Sequence, residues 1–243
     1  VTAVEIIRQA SQGYSVKPFI IRADDKQTYF VKGIDRAGRS ALVSEALAAE
    51  LGLQLKLPIP PWRVMDIPQE LIDFSMLENV GDLRGGPAFA SMQVPNSADL
   101  LVSSVNSIPA ELQRLVLIFD WWILNGDRAL SELGGNVNLL LDGEGELTVI
   151  DHNAAFDSDV TAQTLLLDHV FRDAAADLRD MVTGLEYQQK LELALRKWSR
   201  ITSVLPADWV YRDEDHTDPT SPTLKQRLAT LERIANVKIW EEL

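Results

Sequence analysis

Residues 119–156 read FDWWILNGDRALSELGGNVNLLLDGEGELTVIDHNAAF. The first part closes an apolar run, 110–124 (AELQRLVLIFDWWIL), which is hydrophobic nearly all round and predicts a buried central helix. Two short apolar strands are expected next, over 138–141 and 147–150, separated by the turn Asp-Gly-Glu-Gly-Glu. Three polar residues stand at the ends of these elements. Asp127 follows the helix in a loop with Asn125 and Arg128, Asn138 opens the first strand, and Asp151 comes directly after the second.

A carboxylate, an amide and a second carboxylate, spaced by a short hairpin, form the donor set that phosphoryl transfer requires. One Asp orients or deprotonates an acceptor hydroxyl, while the Asn and the other Asp hold magnesium on the phosphates of ATP. Any single Asp or Asn in a loop more often caps a helix or makes a turn. The ordered set is therefore the signal. Lys32 strengthens it as an isolated cation at the end of a strand, upstream of a Glu-bearing helix, where a kinase places the lysine that contacts nucleotide phosphates. The ordinary alternative for Lys32 is a solvated strand end.

Working outward, 19–22 and 28–32 are β-rich runs around the polar turn Ala-Asp-Asp-Lys-Gln and predict a hairpin. Residues 40–52 (SALVSEALAAELG) predict a helix that stops at Gly52, and the three prolines of 53–61 exclude a helix interior there. Strand character returns at 62–67 and 88–94, ahead of a linker-like stretch, 95–109. After Asp157 the helical patterns are 161–178, 185–203 and 221–236, with a polar interruption at 213–222. Hairpin, helix, strand, strand is the order of the small lobe of a two-lobed kinase, and many other α+β domains begin in the same way. The expected fold is α+β and protein-kinase-like: a small, mostly antiparallel β N-lobe with one helix over 1–95, and a larger helical C-lobe over 96–243.

Composition narrows the chemistry. With 36 acidic and 23 basic residues the chain carries a net charge of −13, which opposes broad electrostatic binding of nucleic acid. Hydrophobic residues are 46% of the chain, enough for a sizeable core. There is no cysteine, so thiolate metal sites, disulfides and cysteine nucleophiles are excluded. No apolar run is long enough to cross a membrane, and the first residues lack the pattern of a signal peptide, so a cytoplasmic protein is expected. His152, His169 and His216 have no metal-ligand spacing. Trp121 and Trp122 are expected in packing rather than in ligand stacking. A P-loop motif and a Gly-x-Ser-x-Gly elbow are both missing.

The segments SQGYSVKP, YFVKG, SEALAAELGL, DWWILNGDR, GGNVNLLL and VIDHNAAFD together resemble the HipA-like kinase family. The resemblance covers nearly the whole chain, as a compact stand-alone version of that fold, and its specific part is the block from DWWILNGDR onward. It implies Asp127 as the catalytic aspartate, Asn138 and Asp151 as magnesium ligands, and Lys32 as the phosphate-binding lysine. Glu45 would be the helix partner of Lys32, with Glu50 the competing choice, and Asn136 competes with Asn138 for the metal. Gly13, Ser15 and Lys17 would belong to the loop over the phosphates, and Ser91 and Gln93 to the hinge that bonds adenine. The activity implied is ATP- and magnesium-dependent phosphorylation of a protein on serine or threonine, in a family that includes toxins of toxin–antitoxin pairs and autophosphorylating members, for which Ser11 or Ser15 would be the position here. Three features depart from ordinary protein kinases: Gly126 before the catalytic aspartate, a longer interval from Asp127 to Asn138, and no Asp-Phe-Gly at Asp151. Two other readings remain open, a small-molecule kinase and a non-catalytic nucleotide-binding module.

Overall fold

Strands β1 (Ala3–Gln9), β2 (Phe19–Ala23) and β3 (Thr28–Lys32) open the computed structural model, which describes residues 1–11, 17–130, 135–236 and 238–243. Helices α1 (Ile34–Ala37) and α2 (Arg39–Gln54) follow, then β4 (Trp62–Ile67), α3 (Gln69–Asp73), a 3-10 turn (Val80–Leu83) and β5 (Gly86–Met92). The β2–β3 hairpin lies where the turn chemistry puts it. Strand β1 lacks a clean alternation of apolar residues and is defined by its pairing with β2, which includes two register shifts. Helix α2 runs past Gly52, which does not act as a stop. A Cβ there would come within 2.3 Å of Ile59 Cδ1, so this glycine serves a close approach of the returning chain.

The stretch 95–109 is more than a connector. It contributes β6 (Ala98–Asp99) and a 3-10 turn (Val102–Ser107) ahead of α4 (Ala110–Trp122). Strands β7 (Leu139–Leu141) and β8 (Leu147–Val149) come next, and β6, β7 and β8 form an antiparallel three-stranded sheet in that order. The expected helix over 161–178 divides into α5 (Ala162–Asp168), a 3-10 turn (Arg172–Ala174) and α6 (Ala175–Leu178), because His169 leaves the helical region at ψ 133°. Helix α7 (Met181–Leu195) starts earlier than its apolar pattern suggests. The carboxylate of Asp180 accepts a hydrogen bond from the Thr183 amide at 2.9 Å and caps it. Helices α8 (Trp198–Thr202), α9 (Ala207–Val210), α10 (Leu224–Leu231), α11 (Arg233–Asn236) and α12 (Ile239–Glu242) complete the chain.

These elements form two units, α+β overall as expected. The first comprises Val1–Ala46, Pro60–Pro95 and Leu205–Ser221. Its sheet is antiparallel in the order β1-β2-β3-β5-β4, and one face buries Phe19, Ile21, Tyr29, Val31, Met65 and Ala90, while Ile20, Trp62 and Phe89 are buried on the other. Trp209 of α9 is fully buried in the same unit, and its indole N–H donates to the Pro87 carbonyl at 2.9 Å. The second unit comprises Leu47–Ile59, Asn96–Val204 and Pro222–Leu243. It is built around α4, whose Val116–Phe119 are wholly buried. Trp121 and Trp122 are core residues here: their indole N–H groups donate to the carbonyls of Ile239 (2.8 Å) and Leu231 (3.0 Å).

Candidate active site

The end of α4 sets the first functional side chain. Leu124 turns the backbone into the left-handed region at φ 51°, and the Asn125 amide returns to the Asp120 carbonyl at 2.8 Å, which releases the chain into the loop bearing Asp127. Asn136 Nδ2 donates to Asp127 Oδ2 at 2.7 Å. Asn138 Nδ2 donates to the Asp127 carbonyl at 2.7 Å and reaches its Oδ2 at 3.4 Å. Burial pushes the Asp127 carboxyl above its ordinary range, and the charge of Asp151 acts in the same direction. The amides of Asn136 and Asn138 oppose them. A carboxylate raised in this way and fixed by an amide is suited to accept a proton.

Asn138 and Asp151 share an uncommon backbone state, with φ 48° and 55° respectively. L-residues seldom enter this region, and Asn and Asp do so most readily. Between them the Ile150 amide donates to the Asn138 carbonyl at 3.1 Å, joining the start of one strand to the end of the next. The donor chemistry fits magnesium. A carboxylate and an amide oxygen are hard ligands, and the Asn138 amide nitrogen is engaged by Asp127, so the oxygen would be the atom that met a metal. Among the described residues no cluster of three or more His, Cys, Asp or Glu could hold a metal, so phosphate and water oxygens would complete the shell.

Beneath this loop lies a buried polar group that motif reading missed. Arg128, Asp120 and His169 are essentially inaccessible to solvent. Arg128 Nε donates to Asp120 Oδ2 at 2.6 Å, and Asn125 Nδ2 donates to Asp120 Oδ1 at 2.8 Å. His169 Nδ1 accepts from the Phe171 amide at 3.0 Å, so the proton is on Nε2, which donates to Asp120 Oδ2 at 3.1 Å. Burial pushes the His169 pKa down despite the adjacent carboxylate, and the ring is neutral. Burial opposes the charge on Asp120, yet Arg128 and His169 outweigh it and hold the carboxyl well below the usual range. A signal was present in the sequence: Asp120 is the one charge in the otherwise apolar run 115–124.

The remaining candidates fall as follows. Lys32 and Glu45 are buried in the first unit, with Lys32 Nζ donating to Glu45 Oε2 at 2.8 Å. Lys17 is exposed and its carbonyl accepts from Gln9 Nε2 at 3.3 Å, whereas Gly13 and Ser15 lie outside the described residues. Ser91 lies within β5, paired with Phe30 and Trp62, and the amide of Gln93 donates to the Thr28 carbonyl at 2.9 Å. His152 is buried with its ring edge-on to Phe119, centroids 5.8 Å apart. A cleft of about 280 Å³ opens beside Asp127, walled by Gly126, Ala154, Asp157, Val160 and Thr164.

No curated protein matches the chain in sequence. Among solved structures, the Helicobacter pylori proinflammatory kinase CtkA is similar with a TM-score of 0.53 and 11% identity, over 98% of this chain and 94% of that one. This likeness is one of fold. A MAP kinase of Leishmania major, LmaMPK10, aligns with a TM-score of 0.25 and 10% identity, over 94% of this chain and 61% of that one. The model of the HipA-like kinase family matches residues 3–243. The chain belongs to the HipA-like kinase family.

Proposed function

We propose that the protein transfers the γ-phosphoryl group of ATP to a serine or threonine hydroxyl of a protein. The observation that carries this reading is Asp127: a carboxylate of raised pKa, held by Asn136 and bordering an open cleft, with Asp151 close enough to affect its charge. Asp127 orients the acceptor hydroxyl and takes its proton as the new oxygen–phosphorus bond forms and the bond to the ADP oxygen breaks. The proton passes on to solvent. Lys32, held by Glu45, offsets phosphate charge. Asn138 and Asp151 would hold magnesium, which when bound neutralises charge on the phosphates. Lys17 and the loop containing Gly13 and Ser15 would cover the phosphates, and the stretch holding Ser91 and Gln93 would meet adenine.

The test is transfer from radiolabelled ATP with magnesium, comparing the wild type with Asp127→Ala and Asp151→Asn on protein mixtures and on small alcohols. Label on protein serine or threonine, reduced by about 10²–10⁴-fold in Asp127→Ala, is the expected result. Label on small alcohols alone would replace the protein acceptor with a small molecule. Nucleotide binding without any transfer would make the protein a binding module.

A further inference from the structure

The two candidate metal ligands are joined from below by one side chain. Arg128 Nη1 donates to the carbonyl of Asn138 itself at 2.5 Å and reaches the carbonyl of Ile150, the residue before Asp151, at 3.4 Å. The other edge of the same guanidinium is on Asp120, through Nε at 2.6 Å and Nη2 at 3.4 Å. Asp120 is in turn fixed by Asn125 and by His169. We propose that Arg128 is a positioning residue: it sets the spacing of Asn138 and Asp151, with Asp120 and His169 as its mount. The inference rests on the metal-ligand reading of that pair.

The chemistry is specific to arginine. A planar guanidinium presents donors along two edges, so it can fork onto a carboxylate on one side and onto carbonyls on the other; an ammonium is a point charge and cannot hold both. Both backbone segments that it touches are at or beside the left-handed residues Asn138 and Asp151. A state that isolated residues rarely adopt needs surroundings that over-determine it, and the Arg128 contacts together with the Ile150–Asn138 bond supply them. The group is also electrically balanced. One guanidinium faces one carboxylate and a neutral imidazole, so its buried location leaves no unpaired charge.

The experiment measures Mn²⁺ affinity by electron paramagnetic resonance in the presence of a non-hydrolysable ATP analogue. Metal-free binding of the analogue and thermal unfolding are measured in parallel. Arg128→Lys keeps a cation against Asp120 but loses the bridge, and Asp120→Asn weakens the mount. The expected result is a fold retained in at least one variant, unchanged metal-free analogue binding, and Mn²⁺ affinity reduced roughly 10–100-fold in Arg128→Lys, as for other residues that orient metal ligands. A folded Arg128→Lys with Mn²⁺ affinity within twofold of wild type overturns the proposal. So does failure of both variants to fold, which would make the group a core element only. If the wild type itself binds no Mn²⁺ with the analogue, the metal-ligand reading fails instead, and the two failures are told apart.

Discussion

Asp127 and its two asparagine neighbours determine how the activity should depend on pH. As the proposed base, Asp127 must be ionised, so activity should rise as pH passes its pKa, which burial has moved above the ordinary carboxylate range. The hydrogen bond from Asn136 Nδ2 favours the ionised form and works against that shift. Asn136→Ala removes it, so the pKa rises further. The acidic limb of kcat/KM against pH should move to higher pH, with the plateau above it retained in part. A limb that stays in place, or moves to lower pH, would show that Asp127 is not the titrating base. The positions of Asp127, Asn138 and Asp151 were legible because each is a polar residue at the end of an apolar element. The contact from Asn136 was not, since two asparagines two positions apart look alike until their amides are seen to reach the side chain and the backbone of the same aspartate.

At the level of elements, breaks and approaches that local pattern conceals are set by packing. Gly184 lies inside α7, where alanine should help by about 1 kcal/mol on helix propensity. A Cβ there would sit 2.5 Å from Trp240 Cδ1 of α12, in a fully packed region. Overpacking costs about 1–3 kcal/mol, so the steric effect outweighs propensity. Gly184→Ala should lower the midpoint of thermal unfolding, and an unchanged or raised midpoint would mean that α12 can move away at little cost. Gly52 in α2 follows the same logic: read as a stop, it is a site of close approach to Ile59. Helix α5 ends where His169 turns in toward Asp120, 49 residues away in sequence, an event no window of local composition records.

At the scale of the whole molecule, the chain returns late to its first unit. Residues Leu205–Ser221 belong with the sheet, and Trp209 is their anchor, buried and bonded to Pro87. Trp209→Ala should destabilise the first unit by about 3–5 kcal/mol, read as a loss in urea unfolding followed on that unit's sheet. A loss below about 1 kcal/mol, the size of a surface substitution's effect, would mean that the segment is only draped on the surface. The net charge of −13 is a property of this same scale: under the proposed function an anionic nucleotide would meet an acidic protein, so lysines, backbone amides and metal would have to supply the local positive field.

Residue types and their local spacing determined, from the sequence alone, the β2–β3 hairpin, most of the later strands and the central helix α4, and which family the chain resembles. These are short-range properties, written in the periodicity of burial and in the chemistry of turns. Tertiary structure alone decided that Lys32 pairs with Glu45, that Gly52 continues its helix, that Trp209 joins the sheet, and that Arg128 links the segments of Asn138 and Asp151. Each of these depends on residues that are separated in sequence, and the pairing of Lys32 is a choice between chemically equivalent carboxylates. It is made by burial, which leaves a charged or polar group only the partner that the rest of the chain brings within hydrogen-bond reach.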